Sequence, residues 1–320
     1  MRRIGILTSG GDTPGMNAAI ESAVMTAKLN GLTVIGVTKG YSGLLEGRLH
    51  EMHSAEVRGI TSNGGTILKT ARCPEMLTEK GRQKAVTVLK AFGVEGLIVI
   101  GGDGSFKGAL ELAKLGIPTI GLPGTIDNDL AYTDYTIGFD TAVNSVVHEM
   151  AKIRDTMNSH ERIGIIEVMG NKCGDIALFA GVAGGAEYIV LPEVPFDKED
   201  LCQRLQDRAI KGQHTSIIVI SEGAGKGNDL ASYVKERTAL DVKAIVLGYT
   251  QRGGDPSAFD RIMATNMGSR AVELLLAGEQ SRVVGIRDGK IVDFDIEDAL
   301  SMKERFDFAM YGRHQAAHSY

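Results

Sequence analysis

The chain has only three cysteines in 320 residues, Cys73, Cys173 and Cys202, odd in number and far apart. They make neither a disulfide framework nor a CxxC metal site, and a reducing compartment fits them best. A basic balance is also missing. The net charge of −5 argues against a non-specific nucleic-acid binder, although it leaves room for a local basic pocket. No apolar stretch approaches the ~20 residues that span a bilayer. The opening MRRIGILTSGGDTPGMN is interrupted by glycine and aspartate too early for a signal peptide. Neither an internal repeat nor a Pro/Ser-rich linker is visible, and the seven prolines and absent tryptophan discriminate little. The expectation is a cytoplasmic protein that engages neither membrane nor nucleic acid.

What is present is an ordinary enzyme composition, 43% hydrophobic and 23% charged, with 41 glycines gathered in clusters. At about 150 residues per domain the length suggests two domains. Such a chain buries roughly three quarters of its unfolded surface and needs no disulfide or structural metal. Short β-branched runs bounded by glycine predict buried parallel strands at Ile4–Leu7, Val34–Val37, Gly96–Ile100 and Thr119–Leu122. Similar runs follow at Ile163–Val168, Tyr188–Leu191, Ser216–Ile220, Ala244–Leu247 and Val283–Ile286. Helical patterns lie between them, at roughly 15–30, 79–92, 105–115, 139–159, 174–184, 197–211, 229–237 and 257–278. This alternation predicts an α/β fold with mainly parallel sheets and helices on both faces. Ligands in such folds bind in loops beyond the carboxyl ends of strands, and the glycine–aspartate clusters fall in those loops.

The first cluster, Thr8-Ser9-Gly10-Gly11-Asp12-Thr13-Pro14-Gly15, follows a strand and opens a helix. Glycine there lets backbone N–H groups approach a phosphate, and a helix N-terminus favours negative charge. The spacing is neither Rossmann nor Walker A, and a plain tight turn is the bland alternative. The second, Gly101-Gly102-Asp103-Gly104-Ser105, can hold Mg²⁺ through an aspartate while the backbone cradles phosphates. A similar GGDG occurs in NAD kinases and lipid kinases. The third, Pro123-Gly124-Thr125-Ile126-Asp127-Asn128-Asp129, sets two carboxylates at i and i+2. That pairing is costly unless a cation or proton shares them; one would serve as base for a substrate hydroxyl, the other as metal or water partner.

Taken together, LTSGGDTPGMN, GGTIL, TARCPE, VIGGDGS, GLPGTIDND, IGFDTA, KIRDT, SHER, IEVMG, GDIAL, ISEG, QRGGDPSAFDR and AVELLL resemble the bacterial ATP-dependent 6-phosphofructokinases over nearly the whole chain. The resemblance implies two similar three-layer α/β/α domains with the active site in the cleft between them. The ATP-binding domain would be 1–138 plus about 251–300, and the sugar-phosphate domain 139–250 plus about 301–320. It further implies phosphorylation of the C1 hydroxyl of fructose 6-phosphate, with Mg²⁺ and ATP, by a homotetramer.

In that resemblance Asp127 is the general base, supported by Thr125 and Asp129, and Asp103 binds the magnesium of the nucleotide. Gly11 and Arg72 contact the phosphates. Tyr41, Cys73, Gly102, Gly104, Ser105 and Gly108 complete the nucleotide pocket. Ile126, Met169, Gly170 and Glu222 line the sugar side, and Arg162 and Arg252 meet the 6-phosphate. Family members that use pyrophosphate carry a bulkier acidic residue in place of Gly104 and lysine in place of Gly124, so glycine at both positions points to ATP.

Three acceptor positions depart from the family pattern: Asn171 and Lys243 stand where arginine is usual, and Tyr249 where histidine is. Arginine clamps phosphate with a bidentate fork, whereas lysine is a point charge. Weaker fructose 6-phosphate binding, or another acceptor such as tagatose 6-phosphate or sedoheptulose 7-phosphate, is the expectation. A weakly active regulatory homologue is the third reading, against which the intact Asp103, Asp127, Asp129 and Arg72 argue. At the family's effector site, a basic cluster that also includes Gly185, the positions hold Glu21, Met25, Ser54 and Gln213, while Arg154, Glu187 and Lys211 match. That set should repel ADP or phosphoenolpyruvate. His50, His53, His148 and His160 share no metal-ligand spacing and read as surface or capping residues, and Arg313–Tyr320 reads as a solvated end.

Overall fold

The computed structural model of the chain describes residues 1–303 and 306–318. These form two compact units. The first takes in Met1–Ile126, Leu130–Thr141 and the segment that begins at Arg252; the second takes in Asp127–Asp129, Ala142–Gln251 and the C-terminal helix. In chain order the elements are β1 (Arg3–Thr8), α1 (Met16–Leu29), β2 (Thr33–Val37), α2 (Gly40–Leu45), β3 (Leu49–Met52), α3 (Ser54–Val57), α4 (Glu79–Ala91), β4 (Gly96–Gly101), α5 (Asp103–Lys114) and β5 (Thr119–Pro123). There follow α6 (Phe139–His160), β6 (Ile163–Val168), α7 (Asp175–Ala183), β7 (Tyr188–Val190), α8 (Lys198–Ile210), β8 (Ser216–Ser221), α9 (Gly227–Thr238) and β9 (Val242–Val246). The chain closes with α10 (Ala258–Leu276), β10 (Ser281–Arg287), β11 (Lys290–Asp295), α11 (Ile296–Ser301) and α12 (Phe308–Ala317).

The sheet of the first unit has the order β11-β10-β5-β4-β1-β2-β3. Its five inner strands are parallel, and β3 and β11 flank them antiparallel. Successive side chains on a strand point to opposite faces. Ile4, Ile6, Ile98, Ile100, Ile120 and Leu122 therefore share one core with α1 and α10. Leu7, Val37, Leu97 and Val99 turn to the other, beneath α4 and α5. Every residue of β4 is buried, as a strand covered on both faces requires. Each such side chain is worth about 1.5–3 kcal/mol on burial.

Close approach of α1 and α10 depends on small residues. A β-carbon on Gly268 would stand 2.5 Å from the Ala19 carbonyl oxygen, and the Ser22 hydroxyl donates to the Thr265 carbonyl at 2.6 Å. Helix starts are set by side chains that accept orphan backbone N–H groups. Thr78 accepts from Gly81, Asp197 from Glu199, and Ser257 from Asp260.

The second unit holds a wholly parallel sheet, β7-β8-β6-β9. Ile163, Ile165, Ile218 and Ile220 pack with α8 and α9. On the opposite face α6 and α7 approach through glycine: a β-carbon on Gly164 would meet Met157 at 3.1 Å, and one on Gly181 would meet Ile189 at 2.6 Å.

All nine expected strands and eight expected helices are present, with bounds moved by at most two residues. Two strands, β3 and β11, were not expected. Half the residues of their sequences LHEM and KIVDFD are polar, and neither has a continuous apolar run of strand length. The C-terminal segment is a correction. Residues through His318 are described; most lie in α12, and His314 is buried with its Nε2 2.7 Å from the Ala186 carbonyl oxygen. Ser319 and Tyr320 lie outside the described residues. No helix among the described residues is long and apolar enough to cross a membrane.

Candidate active site

In the first unit the loops after β1, β4 and β5 are held together by their backbones. Ser9 N–H donates to the Ile100 carbonyl at 2.9 Å, and Gly124 N–H donates to the Gly101 carbonyl at 3.0 Å. Gly10 and Gly15 have φ of 89° and 101°, a region that favours glycine. The Thr70 hydroxyl donates to the Gly10 carbonyl at 2.7 Å. A β-carbon on Gly101 would lie 2.5 Å from both the Ser105 hydroxyl and the Ser9 carbonyl oxygen, so these loops touch only because glycine is there.

This brings Gly11, Gly102, Asp103, Gly104, Ser105 and Thr125 to the carboxyl ends of neighbouring strands. Asp103, Gly104 and Ser105 are the first three residues of α5, where the helix dipole and unpaired N–H groups favour an anion. The Asp103 carboxylate is half-exposed and pairs with Lys107 at 2.6 Å. Nothing lies within 4 Å of a β-carbon placed on Gly104, which leaves open space beside the phosphate-favouring turn. By contrast, a β-carbon on Gly124 would meet Met16 at 2.8 Å.

Of the other residues expected in the nucleotide pocket, Arg72 is exposed and has no ion-pair partner among the described residues, and Cys73 is half-buried. Tyr41 is buried, and its hydroxyl donates to the Ser105 carbonyl at 2.8 Å. Burial pushes its phenol well above the ordinary value, so Tyr41 supports the α5 turn from beneath as a neutral donor. Gly108 makes room for it, since a β-carbon there would reach the Tyr41 ring at 3.0 Å. Arg252, expected among the acceptor contacts, lies in the first unit against Gly11, with Nη1 donating to the Asp12 carbonyl at 3.4 Å.

The loop after β5 is tied down by Ile137 N–H, which donates to the Pro123 carbonyl at 2.7 Å, and by the Thr136 hydroxyl, which donates to the Thr125 carbonyl at 2.6 Å. Ile126 is fully buried. Asp127, Asn128 and Asp129 are half-buried, and Asn128 has φ 55°, a left-handed conformation asparagine tolerates well.

In the second unit, Met169 N–H donates to Gln251 Oε1 at 3.1 Å, and Asn171 N–H donates to Glu222 Oε1 at 3.1 Å. Gly170 has φ 133° and Asn171 φ 54°, so the Met169–Asn171 turn selects for small or amide residues. Arg162 and Lys243 share one counterion, Asp241, at 2.5 and 3.5 Å. The Arg162 and Lys243 charges hold the Asp241 carboxyl below the usual range. Tyr249 is 83% exposed on the 3₁₀ turn Gly248–Arg252.

Three residues of this unit escaped sequence reasoning. Gln251 is fully buried and joins Met169 to the Gly248 carbonyl, and Asp241 pairs the two cations. Asp175, at the start of α7, accepts from Asn128 at 2.8 Å. Gln251 and Asp175 lie inside quoted motifs and Asp241 lies outside them all, but a polar residue's partner across the chain leaves no periodic signal.

The expected effector residues are split between the units. In the first, Glu21 accepts from Gly59 N–H, Thr61 N–H and the Thr61 hydroxyl at 3.0, 2.9 and 2.7 Å. Burial works to raise its carboxyl, and these donors overcome that and hold it below the usual range. Met25 packs on the core beneath α1, and Ser54 opens α3. In the second unit, Arg154 donates to the Gly185 carbonyl at 2.5 Å and pairs with Glu187 at 3.3 Å, while Lys211 and Gln213 are exposed.

Comparison with known proteins gives the family. A protein from Clostridium novyi (strain NT) with the name ATP-dependent 6-phosphofructokinase is 56% identical over 97% of this chain and 98% of its own length. A Clostridium botulinum protein of the same name is 54% identical over the same shares. The solved phosphofructokinase of Saccharomyces cerevisiae superposes with a TM-score of 0.87 at 35% identity, covering 94% of this chain; this chain spans 45% of that longer one. The family model described as Phosphofructokinase matches residues 3–275. With its parallel sheets, its glycine-rich strand ends and a match of that extent, the chain belongs to the phosphofructokinase family.

Proposed function

We propose that the chain transfers the γ-phosphoryl group of ATP to the C1 hydroxyl of fructose 6-phosphate, giving fructose 1,6-bisphosphate in glycolysis. The observation that carries this reading is the undamaged phosphoryl-transfer set, Gly11, Arg72, Asp103, Thr125, Asp127 and Asp129, in a chain 56% identical to an ATP-dependent 6-phosphofructokinase. Phosphoryl transfer needs positioning and charge neutralisation more than covalent chemistry.

Asp127 takes the proton of the attacking hydroxyl, with Thr125 and Asp129 supporting it. Gly11 N–H and the Arg72 guanidinium meet the phosphates, and an exposed arginine with no counterion among the described residues suits charge on the transferring group. Magnesium arriving with the nucleotide would be held by Asp103. One accessible carboxylate at a helix N-terminus fits a cation that keeps its waters and phosphate ligands; when bound, it neutralises charge between the phosphates. The open space beside Gly104 supports ATP over pyrophosphate as donor.

The same reading makes the enzyme a cytoplasmic homotetramer in which Arg162 and Lys243 serve a neighbouring subunit's acceptor. Asn171, Lys243 and Tyr249 favour a second reading for the acceptor alone, tagatose 6-phosphate or sedoheptulose 7-phosphate.

The test is steady-state ATP/Mg²⁺ turnover over a panel of sugar phosphates, with Asp127→Asn as control. The highest kcat/KM with fructose 6-phosphate and a control down by about 10²-fold or more support the reading. A higher kcat/KM for another acceptor transfers the assignment to it, and no turnover at all sinks the kinase reading.

A further inference from the structure

Asp175 is only 6% exposed, yet it is no part of the set described above. Burying a carboxylate is costly unless a specific partner repays it. Burial pushes the Asp175 carboxyl up to about 6, the Asn128 amide works against that rise, and Glu193 adds to it. Glu193 is a second carboxylate at the same spot, accepting Gly174 N–H at 2.7 Å. A β-carbon on Gly174 would meet the Glu193 carboxylate at 2.5 Å, so the start of α7 is clamped from that side. A helix start needs only a small polar cap, as Thr78 and Ser257 show; two carboxylates around one turn exceed that need.

What Asp175 holds is the side chain of Asn128, at 2.8 Å. Asn128 is the residue between Asp127 and Asp129, and its φ of 55° makes it the pivot of that turn. A left-handed residue other than glycine persists when its surroundings fix it. We propose that Asp175 is a positioning residue for phosphoryl transfer, fixing through Asn128 the left-handed turn that carries Asp127 and Asp129. This rests on the reading of Asp127 as the base.

The experiment compares Asn128→Gly, which keeps the left-handed turn and removes the amide, with Asp175→Ala, Asp175→Asn and the double variant Asn128→Gly/Asp175→Ala. Steady-state kinetics are read beside thermal unfolding and amide hydrogen exchange of residues 125–130. The expected result is a fall in kcat of at least about tenfold for Asn128→Gly and for Asp175→Ala, with KM for ATP within about twofold. The double variant should be no worse than the more damaged single one. Asp175→Asn, which retains an acceptor oxygen, should recover most of kcat, and exchange at 125–130 should quicken in both single variants.

Asn128→Gly with kcat within about twofold of the wild type, effects that multiply in the double variant, or unchanged exchange would each overturn the proposal. If Asp175→Ala does not fold, Asn128→Gly and Asp175→Asn still decide. The wild-type rate with fructose 6-phosphate reports separately on the reaction itself. Should that rate be zero, hydrogen exchange still tests the turn.

Discussion

The guanidinium of Arg252 occupies the volume that a side chain on residue 11 would need, with Nη1 beside Gly11 and donating to the Asp12 carbonyl at 3.4 Å. Glycine at position 11 is thus required by an arginine from a distant part of the chain. Gly11→Ala should displace Arg252 and lower kcat/KM by at least about tenfold, ~1.4 kcal/mol. In an Arg252→Ala background the same substitution should cost much less, because the two changes share one contact. A steady-state double-mutant cycle measures this, and additive losses would refute it.

Asp241 binds both Arg162 and Lys243, so a phosphate approaching these cations meets a carboxylate already among them. Asp241→Asn should strengthen sugar-phosphate binding by roughly threefold, and the gain should shrink at high salt. KM for the acceptor at low and high ionic strength measures it; an unchanged or higher KM would show that Asp241 organises the cations rather than competing for them.

Glu21 already satisfies the Gly59 and Thr61 N–H donors, so its negative charge is fixed in place. ADP or phosphoenolpyruvate at sub-saturating acceptor should shift apparent affinity by less than about twofold. A several-fold shift in that titration would contradict the prediction.

Asp260 is fully buried where α10 begins and accepts from Gly138 N–H at 2.9 Å and Thr141 N–H at 2.8 Å. Burial raises its carboxyl from the ordinary 3.8 to about 6, against the pull of those donors. The folded chain therefore keeps a proton that the unfolded chain has released. The stabilisation is complete below about pH 4 and is lost as pH rises through about 6, an effect of roughly 3 kcal/mol. Urea unfolding of wild type and Asp260→Asn at pH 4 and 7 should show the wild type's relative advantage shrinking by that order. A difference that does not change with pH would count against it.

The parallel strands were legible because a strand buried on both faces must be apolar throughout, as GLIVIG in β4 is. The edge strands β3 and β11 were not, because polar residues interrupt the run. Gly11, Asp103 and Asp127 stand out in the sequence because glycine and aspartate cluster directly after the apolar strand runs. Gln251 and Asp175 were hidden for the opposite reason: each works by reaching a residue far away in sequence. Arg252 was found, but its contact with Gly11 is a matter of packing that no motif encodes.

The position of β10 beside β5 has a consequence for biosynthesis. β5 ends at Pro123 and β10 begins at Ser281, so at roughly 5–20 residues per second the ribosome needs about 8–30 s to supply the neighbour. Until then β5 is paired with β4 on one side only, and its other side, at Ile120, is an open sheet edge, while the Ala142–Gln251 stretch of the second unit has already been made. A nascent chain in that interval presents the kind of unpaired apolar edge on which aggregation starts. The vulnerable moment of this protein's life is therefore the time before β10 arrives.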